Sequence, residues 1–591
     1  MKRLIKLVLC CMLIVGLTAC SNNTDSSTSK IANGTYEGVG KGKGGDITLN
    51  VTIENDLIKD IEVVSHSETT GFDSAMDTLK EEVLKFNSID VDSVTGATLT
   101  SQGYLSAIEN ALTNANATKD MLAKVDVDVE KGEKQEIKEE YDVVVIGAGG
   151  AGYSAAIEAK NAGANVVILE KMPAVGGNTL ISGAEYAAPN NWLQEKENLE
   201  DSVDLMVEDM LVGGDHKNNP DLVKVVAENA LDGALWLKDE VGVIWEDELM
   251  FFGGHSVKRS LIPLNASGVE IITKLDEKAK SMDIPVYLNT QATELIVEDG
   301  KVVGVKATGK DNDYIFTCDA VVMATGGFGS NVDMRIQYNP EIDETILSTN
   351  TVGSTGDGIL MAQAIGADVE GMEYIQTYPI CDPLTGTLLY FDDARLYGHT
   401  IIVNKEGKRF VEELGRRDEM SLAIKAQTGN VCYELIDQNG YVESKLEENH
   451  AQELEYLYDN DLLVKADTLQ EVAEFFGVDY ETLQETVDNY NSYVENGEDP
   501  EFNKRSLPSK IEKAPYYMIK AAPAVHHTMG GLVINTDAQV LNTNGEAIEG
   551  LYAAGEVTGG IHGTNRLGSC ALADITVFGR IAGQNAASYA K

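Results

Sequence analysis

The chain has 591 residues, 43% of them hydrophobic and 56 of them glycine, and 95 acidic side chains oppose 46 basic ones for a formal charge of -49. Such a length exceeds one simple core and predicts two to four domains, and the apolar, glycine-rich composition is that of a globular α/β protein rather than a disordered one. The acidic excess argues against nucleic acid as a partner, since phosphates need a basic surface, and suits a soluble surface outside a cell.

Lys2, Arg3 and Lys6 precede a short apolar run from Leu7 to Gly16, which is brief for a bilayer span. The tetrapeptide Leu17-Thr18-Ala19-Cys20 that follows resembles a bacterial lipobox. The expectation is a lipoprotein signal peptide over 1–19, lipidation at Cys20 and a flexible tether over 20–31. The protein would then sit outside the cytoplasm, anchored to the outer face of the cell membrane. Cys10 and Cys11 leave with the signal, and Cys318, Cys381, Cys432 and Cys570 are widely scattered. No disulfide framework or metal site is legible, and without Cys-x-x-Cys-His no c-type haem is expected in this chain.

Residues 32–118 read as a small α+β unit. Ile47 to Ile53 alternates as a strand, Ile58 to Val64 offers a second, and Ser74 to Leu84 and Gly103 to Leu112 have helical spacing. Between them lies Asp92-Ser93-Val94-Thr95-Gly96-Ala97-Thr98, followed by Leu99-Thr100-Ser101. Taken alone it is a Thr/Gly-rich turn entering a helix. It also resembles the FMN-binding domains of bacterial electron-transfer proteins, and the resemblance implies that a flavin transferase joins FMN to Thr98 through its phosphate. A covalent link retains a cofactor that would otherwise diffuse away outside a cell. The charged stretch over 119–139 reads as a solvated linker.

Tyr141 to Ile146 is a continuous apolar run, typical of a buried parallel strand. Gly147-Ala148-Gly149-Gly150-Ala151-Gly152 follows, then a helix and a second strand, Ala164 to Leu169, ending in Glu170. In this βαβ unit Gly147 permits a tight turn, Gly149 admits a pyrophosphate, and Gly152 lets the helix pack closely, its free N–H groups facing the phosphates. Glu170 stands at the distance expected of a ribose-binding carboxylate. Further glycine turns at Gly176-Gly177-Asn178-Thr179, at Ala324 to Gly329 and at Gly550 to Glu556 favour FAD over NAD. No internal repeat and no later membrane span are evident.

With these motifs in order, residues 140–591 resemble the flavoprotein subunits of fumarate reductases, especially the extracytoplasmic flavocytochrome c type. The resemblance implies an α/β fold. A Rossmann-like FAD-binding domain over 140–375 and 525–591 would carry an inserted α+β clamp over 376–524, with the small α+β FMN-binding domain ahead of both. FAD, bound non-covalently, would be lined by Ala151, Glu170, Asn178, Thr179, Gly183 and Asp357. From the C-terminal segment His527, Glu556, Arg566, Ala571 and Leu572 would join them. FMN takes the place that haem domains occupy in such relatives, as the relay that feeds electrons to FAD.

Reducing an activated C=C bond takes a hydride, a proton from the other side, and cations that hold the substrate carboxylate. By motif, Arg417 of Arg416-Arg417-Asp418 would donate the proton, with Arg416 the adjacent alternative, and His526 and Arg566 would bind the carboxylate. As bare residues, both arginines read as surface charges. Fumarate reductases carry His after a Gln-Ala pair, where the second carboxylate binds; here Tyr378 stands in Gln376-Thr377-Tyr378. Asp392-Asp393 falls on their Thr-Glu and Leu396 on their Arg, so Leu396 cannot relay a proton and Arg395 is the nearby substitute. Tyr378 and Asp393 resemble urocanate reductases, which implies an imidazole acrylate as substrate, its ring N–H meeting Asp393. Whether Asp393 binds substrate or relays protons stays open at this stage. The alternatives are fumarate, cinnamate, itaconate or another acrylate and, in a different class, an electron-transfer flavolipoprotein with no substrate of its own. A membrane-associated electron donor is expected, and the acidic run from Glu447 to Asp461 reads as a solvated helix face.

Overall fold

The computed structural model describes residues 30–42, 45–66, 68, 74–91, 93–94, 98–125, 134–310 and 312–591. The expected signal peptide, Cys20, nearly all of the tether, Asp92 and residues 95–97 lie outside the described residues, as does the side chain of Thr98.

The N-terminal module is an antiparallel meander of Gly34–Lys41, Asp46–Glu54 and Leu57–Ser65 with helices Ser74–Phe86 and Thr98–Asn114 against it. Strict alternation places Ile47, Leu49, Val51 and Ile53 on one face, all fully buried. The second helix lies almost flush on the first strand. A Cβ at Gly38 would stand 2.0 Å from the Ala107 carbonyl oxygen, and one at Gly40 would stand 2.1 Å from that of Gly103. Neither glycine was legible as a packing device in the sequence.

Six strands form the central sheet of the next module, in the order Val286–Tyr287, Val166–Leu169, Val143–Ile146, Ala320–Met323, Ala547–Ala553, Gln539–Leu541. All pair in parallel except the last two. Helix Gly150–Asn161 covers it and is gripped by helix Cys570–Tyr589, whose Gly583 would bring a Cβ within 2.1 Å of the Ala155 oxygen. The expected linker is shorter than 119–139. Gln135–Glu140 is a strand paired in parallel with Asn312–Thr317, at the edge of a separate four-stranded sheet. Its charged, exposed alternation disguised it, since a charged edge is how a sheet avoids pairing with other chains.

The clamp has cores of its own, one centred on Ile380, Phe391, Ile402 and Ile436, the other on Leu435, Val472, Leu483 and Tyr490. Its sheet is organised by a 13-residue strand, Tyr516–Thr528, which pairs with Cys432–Asp437, Leu463–Ala466, Ile375–Cys381 and Leu347–Ser348. This strand crosses the expected boundary at 524/525 and delivers His526 and His527 from the clamp sheet toward the FAD module. Among the described residues no helix is long and apolar enough to cross a membrane. Cys318, Cys381, Cys432 and Cys570 are buried and form no disulfide among the described residues.

Candidate active site

The glycine fingerprint builds a cleft whose walls include Gly147, Gly149, Ala151, Glu170, Asn178, Thr179, Asp357 and Glu556. Gly147 has φ 108, and a Cβ there would meet the Ala324 oxygen at 2.2 Å. Gly152 would bring a Cβ within 1.9 Å of the Gly147 oxygen, so it serves helix packing, as its motif position implies. Gly149 differs: the nearest atom to its Cβ position is 3.9 Å away, and the space a side chain would fill is the cleft. This residue caps helix Gly150–Asn161 with no side chain over the first turn, leaving the helix N-terminus open to an anion.

Polar groups await a ligand there. Asp357 Oδ1 and Thr325 Oγ1 are buried in the cleft wall with no hydrogen-bond partner among the described residues. Lys171 Nζ donates to Asp357 Oδ2 at 2.8 Å. The Glu170 carboxylate accepts the Ala148 and Met172 N–H groups at 2.9 and 2.8 Å and keeps lone pairs for a ribose hydroxyl. Asn178 donates to Asn350 Oδ1 and accepts from Thr351 N, which fixes its amide. The residues present therefore fit FAD.

Gly183, His527, Arg566, Ala571 and Leu572 do not line that cleft. Arg566 and His527 belong instead to a chamber shared with Arg417, His526 and Glu185. A Cβ at Gly183 would strike the Glu185 carboxylate at 2.5 Å, so the glycine makes room for that acid. Ala571 and Leu572 lie in the first turn of helix Cys570–Tyr589. His527 Nδ1 lies 3.8 Å from Glu556 Oε1, and burial with the Arg566 charge holds its pKa well below the ordinary histidine value.

The cations of the chamber are Arg566 and Arg417, with His526 beside them. Arg566 is buried, its Nε has no partner, and among the described residues it forms no ion pair. Burial and the neighbouring Arg417 bring its pKa down to about 10. An uncompensated buried guanidinium is costly unless a ligand anion joins it. Arg417 opens helix Arg417–Lys425 with its guanidinium 4.8 Å from the centre of the Tyr378 ring and 5.5 Å from that of Phe252. Arg416, the sequence alternative, is committed elsewhere, to Asp215 at 2.7 Å and Asp418 at 3.0 Å. His526 Nδ1 is 2.9 Å from Thr349 Oγ1, and burial together with Arg566 and Arg417 keeps the ring neutral.

The acids are arranged differently from the sequence expectation. Tyr378 donates its hydroxyl to Asp392 Oδ2 at 2.6 Å, not to Asp393. Asp392 is also bidentate with Arg395, both bonds 2.6 Å, so the i, i+3 pair that Leu396 could not complete is formed one residue earlier. Asp393 instead meets His450 Nε2 at 3.0 Å. Glu185 joins them; burial, with the Asp393 charge, lifts it to about 7 against the opposing pull of Arg417 and Arg566. The run from Glu447 to Asp461 is not a purely solvated face. Glu453 accepts the Tyr390 and Phe391 N–H groups at 2.9 and 2.8 Å, and burial raises it to about 7. Sequence reading missed Glu185, Phe252 and His450, each a lone residue far along the chain from the motifs it joins.

Comparison with known proteins identifies both modules. A model described as FAD binding domain matches residues 142–572, and one described as FMN-binding domain matches residues 42–113. The chain is 47% identical over 560 residues to a urocanate reductase of Eggerthella lenta, covering 94% of this chain and 92% of that one. It is 39% identical over 454 residues to a fumarate reductase (cytochrome) of Shewanella frigidimarina, covering 76% of this chain and 77% of that one. Among solved structures, the open conformation of a flavocytochrome c3 fumarate reductase superposes with a TM-score of 0.67 at 40% identity, over 76% of this chain and 79% of that one.

Proposed function

The chain belongs to the FAD-binding flavoprotein family that includes the urocanate and fumarate reductases, and from that premise we propose that it reduces urocanate to imidazole propionate. It is an oxidoreductase of CH–CH bonds with FAD and FMN modules in one chain. The observation that carries the finer reading is the contrast within one chamber. Arg566 is a buried guanidinium without an ion pair among the described residues, while Asp393, joined by Glu185 above about pH 7, supplies an acid where a second substrate carboxylate would be repelled. This combination fits a molecule that is anionic at one end and an N–H donor at the other, and the 47% identical urocanate reductase supports it.

When bound, FAD supplies the hydride. Arg566 and His526 hold the substrate carboxylate. In the tautomer whose Nδ1 accepts from the Thr349 hydroxyl, the neutral His526 ring carries its proton on Nε2 for that carboxylate. Arg417 delivers the proton to the carbon next to the carboxylate. Asp392, held by the Tyr378 hydroxyl and by Arg395, is committed behind the ring that Arg417 overlies, which leaves Asp393 for the substrate ring. Thr98 would hold FMN, loaded by a flavin transferase, and FMN would supply the relay of electrons to FAD. The lipobox at Cys20 supports an anchor on the outer face of the membrane beside a membrane-associated donor.

An anaerobic assay with reduced viologen and a panel of acids tests the substrate. Urocanate should exceed fumarate, cinnamate and itaconate in kcat/KM by at least about 100-fold, the scale set when a site's polar groups are matched in one substrate and left unpaired in another. A kcat/KM for fumarate equal to or above that for urocanate refutes the proposal.

Glu185 adds a pH signature. Its raised pKa favours the protonated form in the fold, so its contribution to stability is full below about 4.5 and is lost as pH rises through about 7. Above pH 7 its charge joins that of Asp393. Inhibition of urocanate turnover by fumarate should weaken about tenfold between pH 6 and pH 8, one pKa unit's worth of interaction. The slope should disappear in Glu185→Gln, and a wild-type Ki that is flat over this range contradicts the assignment.

A further inference from the structure

Helix Leu446–Asp459 belongs to the clamp, yet its backbone leaves helical geometry at one residue, His450, with φ -130 and ψ 28. One turn further on, Glu453 accepts the backbone N–H groups of Tyr390 and Phe391, pinning the helix to the turn that leads into Asp393. From that anchor the His450 ring stacks on Tyr390, centroids 5.3 Å apart and planes 14° apart, and Nε2 meets Asp393 Oδ2 at 3.0 Å. The Tyr390 hydroxyl donates to the Ile181 oxygen at 3.3 Å, tying the stack to the segment that carries Gly183 and Glu185. Asp393 Oδ1 receives no hydrogen bond from the described residues.

We propose that His450 is a positioning residue for substrate choice: it holds Asp393 through Oδ2 and leaves Oδ1 as the fixed acceptor for a ring N–H of the substrate. The inference rests on the urocanate reading above. An aspartate unsupported at this place would rotate freely and present a bare charge, and ordering it would fall to the substrate. Burial pulls the His450 imidazolium down, but the hydrogen bond and charge of Asp393, with Glu453 behind, outweigh it and raise its pKa above the ordinary value. The pair then offers a compensated acceptor, which suits a neutral ring donor. It discriminates by what the substrate donates rather than by its size.

The test compares urocanate with cinnamate, an acrylate whose ring has no N–H, by the change in flavin absorbance on binding to the holoenzyme. Wild type should prefer urocanate. His450→Ala should weaken urocanate about tenfold, the scale of one well-made hydrogen bond, and move cinnamate less than about twofold. In turnover the loss should appear in KM, with kcat for urocanate changed less than about threefold. His450→Gln, which keeps a donor, should recover most of the affinity, and flavin content and Tm separate a folding defect from a binding one. Equal losses for both acids, or undiminished urocanate binding by His450→Ala, overturn the proposal while leaving the substrate reading intact. A wild type with no preference for urocanate overturns both.

Discussion

Replacing Arg417 by alanine is expected to lower turnover about 1000-fold, within the range supplied by a positioned general acid, while FAD content stays that of wild type. The expectation follows from what surrounds the guanidinium. It lies against the Tyr378 and Phe252 rings, pairs with no carboxylate among the described residues, and belongs to the same electrostatic cluster as Arg566 and His526. A cation so placed has no structural ion pair to lose, and its removal costs the reaction rather than the fold. Both kcat and kcat/KM should fall together, the mark of an interaction made in the transition state. Lysine should not restore the rate, because the planar fork cannot be replaced by a point charge. Arg416→Ala is the control: its ion pairs with Asp215 and Asp418 are half-exposed, and turnover should stay within about threefold of wild type. A protein that only carried electrons would keep its activity without Arg417, so retention of more than a tenth of the rate refutes the catalytic role.

Thr98→Ala should abolish FMN attachment outright. Protein co-expressed with a flavin transferase should carry one FMN adduct by intact mass, and the variant none. The match to FMN-binding domains over 42–113 brackets this residue, which is the first of helix Thr98–Asn114. Behind it the module is firmly built: Thr100 Oγ1 donates to Glu68, and Ser101 Oγ accepts the Val94 N–H at 3.0 Å. Donor-linked turnover should be lost with the adduct, whereas viologen-driven reduction of urocanate, which reaches FAD directly, should persist. An adduct that survives in the variant removes Thr98 from the account. Loss of viologen-driven turnover as well contradicts the separation of relay from reaction site.

What the sequence made legible was local chemistry. The buried strand Val143–Ile146, the turn at Gly147 and the acid Glu170 are consecutive, so their spacing carries the nucleotide cleft by itself. His526, Arg566 and Arg417 were singled out because each lies in a motif, and the fold brings the three within electrostatic reach of one another. The distal acids were only half legible. Tyr378 and Asp393 were singled out, but the bond from Tyr378 to Asp392 was not foreseen, because the short helix Asp393–Leu396 turns Asp392 and Arg395 inward together. Glu185 and His450 come from segments with no motif, and a lone Glu or His has no signature until the fold assembles its neighbours. Glu453 was hidden by its acidic surroundings: in a run that is charged throughout, composition does not reveal which carboxylate turns inward to cap backbone N–H groups. The strand Gln135–Glu140 was hidden likewise, by charges that guard a sheet edge.

The central claim is that the chamber takes one carboxylate and one ring N–H donor rather than two carboxylates. Its most direct test is a single turnover. Holoenzyme carrying the Thr98→Ala substitution, with FAD as its sole flavin, is reduced anaerobically by two electrons and mixed with urocanate or with fumarate while flavin absorbance is followed. The account predicts rapid reoxidation by urocanate with one equivalent of imidazole propionate formed, and reoxidation by fumarate at least about 100-fold slower at equal concentration. Reoxidation by fumarate as fast as by urocanate would contradict it.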